Sequence, residues 1–366
     1  MKASSFEVIA GSYEEFLLGF NFSPKEGQLV QSFAAHDHSA SVRCVALSSP
    51  YLASGGADDR IFIYDLKSRK QHCALTHHNA TITCLQFTEN HSHLLSGSSD
   101  GVLAIVRVGN WQLEKVWEKA HKGSAILDIA VHSSGKLALT LGADAHLCTW
   151  NLVKGRQAYV INLSNKCKNA RSLERIVWAP DGVRFLLYGG KFTEIWSIET
   201  GGVLNQIEHG EKVTGCAWLS DTILLVGHEN GEISVLNLED NSTEVFKAHD
   251  SRIKGIALYK KRIVTISSSG EIKIWNKDFD ELAVTETGCR LTCLSVVPPI
   301  KIKNEEDINE ESVSETNTSE ITQKKKFSKA QVVEEVEDNE VIEVRKKKKK
   351  KRDLEVDEQK LKKKVK

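Results

Sequence analysis

Along most of the chain, apolar residues fall into short runs broken by alternating polar ones, a period of two that predicts β-strands rather than helices. Six runs close in a similar way: IFIYDL (61–66), LAIVRV (103–108), LCTWNL (147–152), TEIWSI (193–198), ISVLNL (233–238) and IKIWNK (272–277). The residue before the closing polar position is Tyr64, Val106, Trp150, Trp196, Leu236 or Trp275, at successive separations of 42, 44, 46, 40 and 39 residues. A repeat of that length holds four short strands. One such sheet has two apolar faces and cannot bury both alone, whereas a closed ring of sheets buries both and leaves only short edges. The expected fold class is all-β, a propeller.

Within most units the polar residues keep one order. A histidine precedes a strand (His38, His78, His121, His209, His249), and an acid or substitute lies six residues before the aromatic position. That residue is Asp58, Asp100 or Asp144 in the first three units, Asn230 in the fifth and Ser269 in the sixth; the fourth has Gly190 and no matching histidine. A histidine, a hydroxyl and an acid suggest a hydrolytic triad only as a single copy beside an oxyanion hole, and the chain has no G-x-S-x-G turn. Recurrence with graded loss points instead to a structural clamp. The turn carboxylate accepts from backbone donors and the imidazole, while the hydroxyl bridges imidazole and indole. On this reading His121, Thr140, Asp144 and Trp150 hold the third unit, Ser54, Asp58 and Tyr64 the first, and Asp100 the second.

Two terminal fragments complete a seventh unit. In EVIAGSYEEFLLGFNF (7–22), Gly11-Ser12 stands at the strand end, Glu14 at the acid and Phe20 at the aromatic position. RLTCLSVV (290–297) matches the first strand of the second unit, TITCLQF (81–87). A closing blade shared by residues 6–35 and 290–297 is expected, within a seven-bladed domain of residues 1–297.

These residues resemble the WD-repeat (WD40) family, in which such a network lies inside each blade. AGSYEEFLLGF, HHNATITCLQF (77–87), AHKG with SSGKLALTLGADAHLCTWNLVKGR up to Arg156, and CRLTCL (289–294), followed by a lysine-rich tail, are more particular. Together they resemble the p21-activated protein kinase-interacting protein family. The resemblance implies a nucleolar WD-repeat protein needed to assemble the large (60S) ribosomal subunit, with pre-60S assembly factors as partners. It also implies negative regulation of p21-activated kinase through the kinase's regulatory region. Val106-Arg107 and Leu236-Asn237 depart from the Trp-Asp dipeptide of the family.

Charge separates the chain into two parts. Residues 1–300 carry 30 basic and 32 acidic side chains; residues 301–344 carry 6 and 13, and residues 345–366 carry 13 and 4. This composition predicts a disordered tail over 298–366, acidic and then basic. Arg345, Lys346, Lys347, Lys348, Lys349, Lys350, Lys351 and Arg352 form an unbroken cationic run, with Lys362, Lys363 and Lys364 beyond it. Such density suits a nuclear and nucleolar signal or a salt-sensitive grip on ribosomal RNA; a solubilising tail without a target is the plainer alternative.

The eight cysteines are dispersed without a C-x-x-C pair, the pattern of buried free thiols in a reducing compartment. No apolar run approaches a membrane span, so no membrane association is expected. The histidine pairs 36/38, 77/78 and 91/93 lack completing ligands, and neither metal, cofactor nor catalytic residue is assigned. The expectation is a non-enzymatic scaffold, monomeric within its complexes. A ubiquitin-ligase substrate receptor and a histone-reading propeller stay open as other uses of the same ring.

Overall fold

The computed structural model describes residues 5–299; the cationic run 345–352 and Lys362 to Lys364 lie outside the described residues, as does the tail's expected disorder. The described residues form seven antiparallel sheets of four strands. Six are built from consecutive strands, beginning at Val42–Ser48, Ile82–Phe87, Ile126–Val131, Arg175–Trp178, Val213–Trp218 and Ile253–Tyr259. We number these blades one to six. In the seventh, closing blade, Leu291–Val297 pairs with Phe6–Ser12, followed by Leu17–Ser23 and Gln28–Ala35.

The hydrophobic pattern explains this layering. Middle strands such as Leu137–Gly142 and Phe192–Ser197 are buried at nearly every position, because each lies between two neighbouring sheets. Outer strands such as Thr243–Lys247 are mostly exposed and carry charges, here Glu244 and Lys247, which discourages pairing at the edge.

The core consists of seven clusters, one at each junction between neighbouring blades. Leu139, Leu147, Phe185 and Trp196 join blades three and four, while Phe6, Phe22, Val264 and Ile272 join blade six to the closing blade. Ile9 and Leu17 meet Leu52 and Phe62 across the last junction, which shuts the ring. Each such side chain contributes about 1.5–3 kcal/mol through burial, so the antiparallel pairing of Glu7–Ser12 with Leu291–Val297 fastens a surface that would otherwise open to water.

Candidate functional site: blade clamps and the channel mouth

The third blade holds the complete clamp. His121 Nδ1 lies 3.1 Å from Asp144 Oδ1, His121 Nε2 lies 2.7 Å from Thr140 Oγ1, and the Trp150 indole donates to the same oxygen at 2.8 Å. Because a carboxylate only accepts, Nδ1 carries the ring proton and Nε2 accepts the threonine O–H. All three buried polar groups of this chain are thus satisfied. Burial holds the His121 imidazole below the usual histidine range, against the opposing charge of Asp144.

The first blade repeats the arrangement, with His38 Nδ1 at 3.0 Å from Asp58 and Nε2 at 2.7 Å from Ser54 Oγ. Tyr64 fills the aromatic position but does not complete the network as expected: its buried hydroxyl has no hydrogen-bond partner. A phenol carries its O–H at the far end of the ring, whereas an indole N–H projects from the side that faces the bridging hydroxyl.

The other blades depart from the predicted pairing, and one residue accounts for much of the difference. A Cβ on Gly142 would lie 2.2 Å from His121 Nδ1 and 2.4 Å from Asp144 Oδ1; at Gly56 the distances to His38 Nδ1 and Asp58 Oδ1 would be 2.4 and 2.3 Å. Glycine at this position leaves room for the imidazole to meet the turn aspartate. The second blade has Ser98 at this position, its hydroxyl bonded to the Ala80 carbonyl at 2.9 Å. His78 still reaches Ser96 at 2.8 Å, but its Nδ1 is buried without a partner. Asp100 therefore does not clamp the histidine; it accepts from the backbone of Val102 at 2.8 Å and of Asn79 at 3.3 Å. Burial, followed by neighbouring His77, lowers the His78 pKa to about 4.

In the fifth blade the position is His228, and the hydroxyl position is Val226, so His209 turns to Thr193 of the fourth blade at 3.0 Å. Asn230 braces its own turn through Glu232. In the sixth blade Ser267 stands there, and the acid is Glu271, 2.5 Å from His249 Nδ1, rather than the Ser269 position. Ser269 bonds Ser251 and Ser267 instead, while Thr265 bridges His249 and Trp275 at 2.7 and 2.9 Å.

The fourth blade uses a different solution. Its turn is a tight Gly190-Lys191 connection with Gly190 at φ 56°, leaving no residue in the acid position. Glu194, fully buried, accepts the Trp196 indole at 3.0 Å. Burial raises the Glu194 carboxyl above the usual range, against the hydrogen bond from Trp196, and its other oxygen, Oε1, is buried without a partner. The backbone of 172–174 packs onto Gly189 where other blades seat an imidazole, since a Cβ there would meet the Ser172 carbonyl at 2.1 Å. Sequence reasoning missed Glu194. Its signal is a lone acid within the otherwise apolar centre of TEIWSI.

The innermost strands form a second repeated site. In six blades their pairing slips by one residue near the start, and a β-bulge of this kind re-aims the extra side chain. The extra residues are Arg43, Thr83, Leu127, Thr214, Lys254 and Thr292, and they line clefts at one end of the central channel. Thr83 donates to the Ile126 carbonyl of the next blade at 2.5 Å, and Thr292 to that of Val42 at 2.6 Å. Deeper in, Arg175 pairs with Asp128 at 3.5 Å, and Asp128 also accepts from the Ile176 amide at 2.8 Å.

All eight cysteines are free, and among the described residues no group of three His, Cys, Asp or Glu is disposed to hold a metal ion. His93, of a pair read as lacking completing ligands, lies 2.8 Å from the single acid Glu114. Among the described residues no helix is long and apolar enough to cross a membrane.

A family model described as "WD domain, G-beta repeat" matches residues 27–65 and 69–105. The chain is 32 % identical over 365 residues to the p21-activated protein kinase-interacting protein 1-like of Xenopus laevis, covering 95 % of this chain and 97 % of the relative. It is 29 % identical over 299 residues to Shk1 kinase-binding protein 15 of Schizosaccharomyces pombe, covering 78 % and 82 %. With Protein MAK11 of Saccharomyces cerevisiae it shares 26 % identity over 397 residues, covering 89 % and 94 %.

Proposed function

Because the chain belongs to the p21-activated protein kinase-interacting protein family, we propose that it is a WD-repeat scaffold serving assembly of the large ribosomal subunit in the nucleolus. The observation that carries the scaffold reading is the recurrence of the histidine–hydroxyl–acid set: its members brace buried strands and turns, so function falls to the exposed loops and channel mouths. The ribosomal reading is supported by the family resemblance and by the cationic run Arg345–Arg352, whose charge suits rRNA or a nucleolar retention signal. On this reading the partners are pre-60S assembly factors and the location is the nucleus and nucleolus.

A second activity is favoured by the names of two relatives, one a p21-activated kinase-interacting protein and the other an Shk1 kinase-binding protein. We propose that the propeller also binds the regulatory region of a p21-activated kinase and restrains it. Affinity purification of the full chain beside a version ending at Pro299 tests both. Large-subunit precursor rRNA and assembly factors with the full chain, lost on truncation together with nucleolar location, are expected. Recovery of only kinase, cullin-adaptor or histone components by both versions, with neither in the nucleolus, would overturn the ribosomal role.

A further inference from the structure

The bulged residues at the channel mouth are not chemically equivalent. Thr83, Thr214 and Thr292 direct their hydroxyls to backbone carbonyls, which leaves them no donor for a ligand. Arg43 and Lys254 are the two cations of the set, and they belong to the first and sixth blades, on either side of the closing blade that carries Thr292. Neither has an ion-pair partner among the described residues, although Arg252 pairs with Glu229, Lys212 with Glu174 and Arg290 with Glu14 nearby. Arg43, Lys254 and Thr292 together line a cleft of about 390 Å³ with Arg252 and Arg290, and a second of about 350 Å³ that reaches Arg175. Partial burial, then the charges of Arg252, Arg43, Lys212 and Arg175, hold the Lys254 ammonium below the usual lysine range. Like charges are thus held together by the backbone, a positive potential that an incoming anion relieves.

We propose that this mouth is a docking site for an acidic peptide, one carboxylate seated between Arg43 and Lys254 above Thr292. The inference rests on the scaffold reading only in taking the ligand to be a protein segment. Charge complementarity selects an anion, and the rim selects a peptide over a nucleic acid strand. Glu14, Glu174 and Glu229 interrupt the cations, so the mouth offers separated anion seats rather than the continuous basic track that a phosphodiester strand follows. The aromatic ring at this rim, Tyr13, carries the Arg290 guanidinium 4.1 Å from its centroid, which covers one of its two faces.

The test is fluorescence anisotropy with the full chain and a labelled peptide of repeating Glu-Glu-Ser, set against its Gln-Gln-Ser counterpart and a labelled oligouridylate. The double variant Arg43→Gln/Lys254→Gln is expected to weaken binding of the acidic peptide about tenfold or more, as loss of paired interfacial charges does. The variant Lys67→Gln/Lys70→Gln, which removes the same charge from an exposed position elsewhere, should leave it within about twofold. Arg43→Lys/Lys254→Arg, which preserves charge, guards against a folding defect by retaining binding. The proposal is overturned by equal effects of the two Gln double variants, by equal binding of the Gln-Gln-Ser peptide, or by oligouridylate binding that depends on the same two cations. Each of these outcomes leaves the pull-down test of the ribosomal role independent.

Discussion

The second and third blades carry the same histidine, a hydroxyl at the same strand position and the same turn aspartate, yet only the third joins all of them. His121 meets Asp144, whereas His78 is buried with Nδ1 unpaired and Asp100 serves only backbone donors. The difference is Gly142 against Ser98, a residue that takes no part in the network's hydrogen bonds in the third blade. A polar network is therefore specified as much by the absence of a Cβ as by the presence of its donors and acceptors. The second blade also has Val106 in place of the indole, so Ser96 bridges nothing beyond its two histidines.

The sharpest way to break this contrast is to remove the bridging hydroxyl from each blade. Thr140→Val keeps the shape but leaves both His121 Nε2 and the Trp150 N–H buried without partners, and should cost about 2–4 kcal/mol. Ser96→Ala, which strands no indole, should cost about 1–2 kcal/mol. Denaturant unfolding of the two variants checks the order, and equal losses would show that Trp150 gains nothing from the bridge.

The next test exchanges the space itself. Gly142→Ser should drive His121 and Asp144 apart and cost about 1–3 kcal/mol, the penalty for an unpaired buried group. In the reverse exchange, Ser98→Gly, the Asp100 carboxylate gains access to His78 Nδ1, and the imidazole should titrate well above its present value of about 4. An NMR titration of His78 that does not move would mean that the turn, and not the serine side chain, keeps the two apart.

This dependence on space explains what could be read from the sequence. Period and strand pattern make the ring legible, because burial between neighbouring sheets acts on every strand alike. The His121–Thr140–Asp144–Trp150 set could also be read, since all four chemical groups are present at fixed spacing. The failures at Asp100, Ser269 and His209 come from residues next to the motif: Ser98, Ser267 and His228 occupy the position of Gly142, and Val226 gives His209 no hydroxyl. A pattern search scores the donors and acceptors and passes over the gap they need. The fourth blade failed for another reason, since its turn is one residue shorter and the longer connection from Asn162 to Arg175 brings backbone, not a histidine, to the vacant place. The bulged cations Arg43 and Lys254 could not be read as a pair at all, because 211 positions of sequence separate two blades that closure brings near each other.

The smallest effect, and the most discriminating, is a difference in the sign of pH dependence between the third and fourth blades. The folded-state pKa of His121 is depressed, so its contribution to stability is present above the ordinary histidine pKa of ~6.5 and is lost as pH falls through the folded value. Glu194 behaves in the opposite sense. Its folded-state pKa is raised, so its contribution is fully present below the ordinary glutamate pKa of ~4.3 and is lost as pH rises through the folded value. Amides of Leu137–Gly142 should therefore exchange faster on acidification than the intrinsic rate accounts for, and those of Phe192–Ser197 faster as pH rises above the glutamate range. Glu194→Gln keeps an acceptor for the Trp196 indole but cannot ionise, so it should remove the second trend and leave the first, with a gain of about 1 kcal/mol at neutral pH. If the fourth-blade amides follow the same pH course with and without the carboxyl, Glu194 does not ionise across the range and serves only as a neutral acceptor for the indole.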